Sequence, residues 1–126
     1  MIRFLLDTDC AVYAMVGRHA GLRSRLGDCE PGEVAISAVA YAEIMLGTVL
    51  GKAPDEKLVE AFLEEIPIIP FDEKAARAYA RLPFRRARFD RLIAAHALSI
   101  GATIVTNNEV DFADVPGLRI ENWTKA

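Results

Sequence analysis

The sequence lacks the features that mark membrane-spanning, secreted and multidomain proteins. Its 126 residues suit one compact domain, and no linker, repeat or low-complexity segment divides them. No run of eighteen apolar residues is present, which excludes an ordinary transmembrane helix. The apolar run at the N-terminus ends at Asp7 and is too short for a secretory signal. We therefore expect a single cytoplasmic domain over residues 1–126.

Cysteine is also scarce. Cys10 and Cys29 do not stand in a spacing typical of a metal or redox site, so we expect two free thiols. The content of 52% hydrophobic and 26% charged residues matches a globular protein with a substantial core. The net charge of −3 argues against a surface that binds nucleic acid everywhere, although it permits one basic groove.

Short apolar segments alternate with segments of helical spacing along the whole chain. The predicted strands are 2–6, 33–36, 66–71, 103–106 and 118–121. The predicted helices are two short ones within 10–26, then 37–50, 55–65, 72–82 and 90–101, with Ser37 and Asp72 as helix N-caps. This alternation predicts an α/β fold with a mainly parallel sheet, whose sites form beyond the carboxyl ends of the strands.

Four acidic residues occupy positions that could meet at such an edge. Asp7 and Asp111 follow predicted strands, Glu43 shares an apolar helix face, and Asp90 opens the most apolar helix. Each has an ordinary alternative role taken alone. Asp7 could be a turn residue or a helix cap, and Asp90 could also be a helix cap. Glu43 could reach solvent at the edge of its face, and Asp111 could lie in a solvated loop.

The four acids become informative as a set. If the first and fourth strands are neighbours, Asp7 and Asp111 meet in one crevice that Glu43 and Asp90 can reach. Carboxylates about 4 Å apart repel by about 4 kcal/mol per pair at an effective dielectric constant near 20. A divalent cation relieves that repulsion, and oxygen-only ligands suit Mg²⁺ or Mn²⁺. Such a site can activate water for phosphodiester hydrolysis.

Five segments stand out along the chain, in this order: Leu5-Leu6-Asp7-Thr8; Ile36-Ser37 followed by Glu43 and Gly47; Phe89-Asp90-Arg91-Leu92-Ile93-Ala94-Ala95-His96-Ala97; Val105-Thr106-Asn107-Asn108 with Asp111-Phe112; and Val115-Pro116-Gly117-Leu118 with Asn122-Trp123. Taken together, these segments resemble the PIN domain family, and in particular the VapC-type toxin ribonucleases of toxin–antitoxin pairs.

The resemblance implies a three-layer α/β/α fold with a twisted, mainly parallel five-stranded sheet. It implies a magnesium- or manganese-dependent endoribonuclease, the toxin of a type II toxin–antitoxin system, commonly a homodimer and inhibited by a VapB-type antitoxin. By position, Asp7 and Asp90 match the principal metal ligands, and Glu43 and Asp111 match the remaining acids. The polar residues that match the lining of the site are Thr8, Thr106 and Asn108.

The sequence departs from the family pattern near these acids. Asp9 stands where the family usually has asparagine, and it could bind metal or face solvent. Some relatives place the fourth acid at the position of Asn108, which makes Asp111 the least secure of the four. The segment before Asp90 is shorter than in many relatives and carries arginines in place of a glycine-rich approach.

Arginines crowd into the segment that leads to Asp90. A run of this kind is commonly a solvated face, but its position favours contact with RNA phosphates. The residues concerned are Arg85, Arg86, Arg88 and Arg91. His96 lies six residues beyond Asp90, about 240° around a helix, so we expect a packed histidine and not a ligand.

Two alternative functions remain at this stage. Asp7-Thr8-Asp9 resembles the D-x-D motif of haloacid-dehalogenase-type phosphatases, in which Asp7 would be the nucleophile and Asp9 the general acid. Ala11 stands where that motif needs threonine or valine, and no downstream lysine motif is evident. The second alternative is a non-catalytic PIN-like module that only binds partners, which the presence of all four acids disfavours.

The arginine run generates the first prediction. Replacing Arg85, Arg86 and Arg88 together with alanine should weaken RNA binding and flatten its dependence on salt, because fewer counterions are released. Metal binding should stay unchanged. Filter binding of an RNA oligomer across a salt series measures both slope and affinity. An unchanged slope would assign these arginines to a solvated face.

Overall fold

The structure is a computed structural model that describes residues 1–83 and 89–125. The described strands are β1 (Phe4–Leu6), β2 (Val34–Ser37), β3 (Ile68–Ile69), β4 (Thr103–Val105) and β5 (Ile120–Glu121). The described α-helices are α1 (Thr8–Val16), α2 (Ala20–Gly27), α3 (Ala38–Val49), α4 (Glu56–Glu65), α5 (Glu73–Ala80) and α6 (Phe89–Ile100), and a short 3-10 helix covers Glu109–Asp111. No helix within these ranges is both long and apolar enough to cross a bilayer.

The five strands form one sheet in the order β3-β2-β1-β4-β5, and every described pairing is parallel. The predicted parallel α/β sheet is therefore confirmed. The first and fourth strands are neighbours, as the argument about the acids required. Strand order reverses between β1 and β4, which is where ligand sites form in open α/β sheets.

Helices cover both faces of the sheet, and β1 shows how. Phe4 and Leu6 point into one core with residues of α1, α2, α3 and α4, together with Trp123. Leu5 points into the other core, which α6 and the segment after β4 complete. Alternating side chains of a strand lie on opposite faces, so one apolar run supplies both cores. This arrangement confirms the three-layer α/β/α architecture.

Four helices begin at a residue whose side chain accepts a backbone N–H of the first turn. These N-caps are Asp7 for α1, Ser37 for α3, Asp55 for α4 and Asp72 for α5. An N-cap of this type satisfies a donor that the helix itself leaves unpaired. The predicted caps Ser37 and Asp72 are confirmed. Both cysteines are free thiols, also as expected.

Four of the five described strands are shorter than predicted, most clearly β3. Residues 66–71 were expected to form this strand, but only Ile68–Ile69 pair as one. Pro67 and Pro70 flank that pair and have no N–H to donate to a neighbouring strand. Their positions therefore limit the strand to the two residues between them.

The structure contradicts one predicted RNA contact, that of Arg91. Its side chain is only 5% exposed, and its guanidinium donates to Asp114 Oδ1 at 2.9 Å and to the Pro83 carbonyl at 3.2 Å. Adjacent side chains of a helix point about 100° apart around its axis. Arg91 therefore points into the protein although it directly follows Asp90 in sequence. Arg91 therefore connects α6 to two loops and is not available to phosphate.

Replacing Arg91 with methionine should consequently destabilise the fold and leave RNA affinity unchanged. Loss of the ion pair with Asp114 and of the hydrogen bond to Pro83 should cost on the order of 1–3 kcal/mol in urea unfolding, because both are made by a buried guanidinium. Arg77→Met is the matched control, since Arg77 pairs with Glu73 on an exposed face of α5 and should matter little. Normal stability combined with weaker RNA binding in the Arg91 variant would restore the phosphate contact.

Candidate metal centre

Asp7 lies at the carboxyl end of β1 and is almost completely buried, with 4% of its surface exposed. Its carboxylate accepts the Cys10 N–H at 2.8 Å and a hydrogen bond from the Thr106 side chain. None of the described lysines and arginines forms an ion pair with it. Burial raises the pKa of Asp7 to about 6, and the negative charge of Asp9 contributes to the rise, while the hydrogen bonds oppose it.

Glu43 on α3 is directed by a residue of the first helix. Thr8 Oγ1 donates to Glu43 Oε1 at 2.6 Å. Burial is the largest cause that raises the pKa of Glu43, and the carboxylates of Asp90, Asp9 and Asp7 raise it further. Asp90 lies in the first turn of α6. The structure therefore brings Asp7, Asp9 and Asp90 within electrostatic reach of Glu43.

The segment after β4 joins this cluster through a series of hydrogen bonds. Thr106 is fully buried, bonds to Asp7, and accepts the Asn108 N–H at 2.9 Å. Asn108 in turn donates its side-chain amide to Asp111 Oδ2 at 2.5 Å. Asp111 thus connects to Asp7 through two intervening residues, and it lies at the end of the 3-10 helix.

Cys10 was expected only to be a free thiol, but its side chain belongs to this cluster. Burial is the largest of the causes that raise its pKa, and the neighbouring Asp7 charge adds to it. The thiol therefore stays protonated near neutral pH and donates to the Asp7 carboxylate. No sequence pattern indicated this, because Cys10 stands in no spacing typical of a metal or redox site.

The donor set fits a hard divalent cation that keeps part of its water. Among residues 1–83 and 89–125, no three His, Cys, Asp or Glu side chains are already arranged to share one ion. Mg²⁺ commonly binds through one or two carboxylates and retains several waters, so such an arrangement is not required. A buried carboxylate without a cation, facing further carboxylates, is the charge pattern that a divalent ion would neutralise.

Not every predicted residue can be placed. Arg85, Arg86 and Arg88 lie outside the described residues. His96 is buried in contact with Ser37 and Phe71, which agrees with a packed histidine. A cavity of about 640 Å³ lies near the opposite edge of the sheet, where residues of α1, α2 and α4 line it, but it includes none of the four acids.

Comparisons with known proteins agree with this geometry. The family model for the PIN domain matches residues 4–118. The chain is 33% identical to the tRNA(fMet)-specific endonuclease VapC of Shigella flexneri, covering 98% of this chain and 100% of that protein. Ribonuclease VapC2 of Rickettsia felis is 32% identical over 97% of this chain and 98% of its own length.

Solved structures give the same result. A chain in the crystal structure of VapBC2 from Rickettsia felis, bound to a promoter DNA fragment, superposes with a TM-score of 0.86 at 31% identity, covering 98% of this chain and 99% of that chain. A chain of DNA-bound VapBC from Salmonella typhimurium gives a TM-score of 0.83 at 27% identity, with coverage of 98% and 99%.

The burial of Asp7 predicts that Asp7→Asn stabilises the metal-free protein at neutral pH. The folded-state pKa of about 6 exceeds the ordinary value of 3.8, so the folded protein holds this proton more tightly than the unfolded chain does. That contribution to stability is complete below pH 3.8 and is lost as the pH rises through 6. The variant should therefore gain up to about 3 kcal/mol at pH 7 and little at pH 4.

Urea unfolding in chelator at both pH values measures this difference. Asparagine retains the N-cap, and Asp55→Asn is the matched control because Asp55 caps α4 in the same way at an exposed position. A gain of equal size at both pH values, or in the control as well, would refute the burial argument.

Proposed function

Because the chain belongs to the PIN domain family, we propose that it is a metal-dependent endoribonuclease, the toxin component of a type II toxin–antitoxin system. The observation that carries this proposal is the buried Asp7 carboxylate, which has no described cationic partner and lies within electrostatic reach of Glu43, as Asp90 does. The endonuclease and ribonuclease names of the relatives support the reaction class.

The proposed roles follow from where each acid lies. Asp7 and Asp90 would hold a Mg²⁺ or Mn²⁺ ion, and Glu43 and Asp111 would bind its waters. A bound ion of this kind activates water and stabilises the phosphoryl oxygens of an RNA phosphodiester. Thr8 orients Glu43, and Thr106 and Asn108 connect Asp7 with Asp111. These side chains would keep the acids in position while RNA binds.

The substrate we propose is RNA that is bound through its phosphates by Arg85, Arg86 and Arg88. A chain with net charge −3 needs local positive charge to approach a polyanion, and this run supplies it next to Asp90. The Shigella flexneri relative is named for cleavage of tRNA(fMet). Transfer RNA is therefore the first substrate to test, and cytoplasm is the compartment that we propose.

A VapB-type antitoxin is the proposed partner, because the structural neighbours are VapBC complexes. Exposed apolar residues continue α3 beyond Glu43, at Leu46, Val49 and Leu50. An inhibitor suited to this surface would offer apolar side chains to the helix and a basic side chain to the acids. We also propose a homodimer, which the family resemblance implies.

The phosphatase alternative is contradicted by the family match, which covers residues 4–118. Asp7 is buried and caps α1, whereas a nucleophile must reach its substrate. A non-catalytic binding module would give the acidic cluster no role in a reaction. The cleavage experiment below distinguishes that alternative from a ribonuclease.

Cleavage of RNA should require Mg²⁺ or Mn²⁺ and stop in chelator. Asp7→Asn and Asp90→Asn should each reduce the rate by about a hundredfold or more, because loss of a metal ligand should cost at least as much as loss of a residue supporting one. The assay follows cleavage of transfer RNA on a gel, with circular dichroism to verify folding.

Glu73→Gln on the exposed face of α5 is the control and should cleave as wild type does. A phosphate monoester offered in parallel should not be hydrolysed. Full activity in chelator would refute the metal mechanism, and folded protein that cleaves no RNA with either ion would favour the non-catalytic module.

A further inference from the structure

His96 makes a buried hydrogen bond that the proposed chemistry does not use. The residue lies in the middle of α6 and is 1% exposed. Its Nδ1 lies 2.7 Å from the hydroxyl oxygen of Ser37, which is itself fully buried. The Phe71 ring contacts the imidazole edge to face, with ring centroids 5.4 Å apart.

The direction of the bond follows from the partners on both sides. The Ser37 hydroxyl oxygen already accepts the Val39 N–H at 3.1 Å, so its proton is free to be donated. The Pro70 carbonyl can only accept, and it takes an N–H of the ring. Burial lowers the pKa of His96, which favours the neutral ring. Neutral His96 therefore donates to Pro70 and accepts from Ser37 at Nδ1.

Ser37 and His96, which form this bond, each lie six residues along a helix from one of the acids. Asp90 precedes His96 by six residues on α6, and Glu43 follows Ser37 by six residues on α3. Six residues span about 9 Å of helix. Resting on the function proposed above, we propose that His96 is a positioning residue whose bond to Ser37 fixes the separation of Asp90 and Glu43 across the metal site.

Apolar packing alone would fix that separation less sharply than a directional bond would. The buried apolar side chains of α6 are Ile93 and the small Ala94, Ala95 and Ala97. Methyl groups make a smooth surface that leaves small rotations and shifts of the helix weakly opposed, whereas a buried hydrogen bond is directional. A misplacement of about 1 Å can cost a hundredfold in rate at a catalytic site.

Two substitutions by amide side chains distinguish the roles of the two ring nitrogens of His96. The amide of asparagine reaches the position of Nδ1, so His96→Asn keeps an acceptor for Ser37. The amide of glutamine reaches the position of Nε2, so His96→Gln keeps the donor to Pro70 and loses the bond to Ser37. Both variants lose the ring and its contact with Phe71, which makes them a matched pair.

Calorimetric binding of Mn²⁺ and steady-state cleavage of RNA are then compared with wild type. His96→Gln should weaken Mn²⁺ binding and lower kcat by about tenfold each, the loss typical of a residue that supports metal ligands, with KM unchanged. His96→Asn should stay within about threefold of wild type. Val59→Ala, which opens a cavity on α4, should lower the melting temperature without weakening Mn²⁺ binding.

Ser37→Ala tests the same bond from its other end if the histidine variants fold poorly. It also removes the N-cap of α3, so Asp55→Ala, which removes the N-cap of α4, is its control. Ser37→Ala should weaken Mn²⁺ binding about tenfold, as loss of a supporting residue does, and the control should not. Adding His96→Gln to Ser37→Ala should cause little further loss, because both remove one bond.

The outcomes distinguish this inference from the function on which it rests. Equal Mn²⁺ affinities in the asparagine and glutamine variants, or losses that only follow melting temperature, would overturn the positioning role and leave the metal site intact. Wild-type protein that binds no Mn²⁺ would overturn the proposed function and the inference with it.

Discussion

The parallel pairing of β1 with both β2 and β4 determines where every residue of the site can lie. In that register Leu6 is opposite Ile36 on one side and Val105 on the other. The next residue of each strand is polar, so Asp7, Ser37 and Thr106 end three adjacent strands in one row. Thr106 bonds to Asp7, and Ser37 caps α3 and meets His96. A shift of β1 by one residue in this register would turn Asp7 towards the other face of the sheet, away from Ser37 and Thr106.

This row places a carboxylate where water cannot solvate it. Without an ion, the folded protein bears the burial of Asp7 and the repulsion of Glu43 by the neighbouring aspartates, and the raised pKa values of Asp7 and Glu43 reflect that cost. Hydrogen bonds from Cys10, Thr106 and Thr8 offset only part of it. A site that binds a divalent cation needs this unfavourable charge, because acids neutralised by the protein would have little affinity left for metal.

Local patterns in the sequence predicted the fold and identified the four candidate acids. They did not predict contacts between residues that are distant in sequence. Asp7 and Ser37 follow apolar runs, and a polar residue there predicts a strand end or a cap. Arg91 was assigned wrongly because charge density along the sequence does not show which way a helix turns each side chain. Its partner Asp114 belongs to a loop that only the tertiary fold brings near. The bond between Thr8 and Glu43 likewise depends on how α1 packs on α3, which no spacing encodes.

The position of α6 illustrates how groups outside the acidic cluster determine its geometry. The helix carries Asp90, but its buried apolar side chains, Ile93 and three alanines, provide no directional contact. Polar contacts at two heights hold it, Arg91 with Asp114 at one and His96 with Ser37 at the other. Asp114 lies just beyond the 3-10 helix that ends at Asp111, and Ser37 begins the helix that carries Glu43. Because contacts at two heights oppose both rotation and sliding, side chains that need not touch the metal keep Asp90 within electrostatic reach of Glu43.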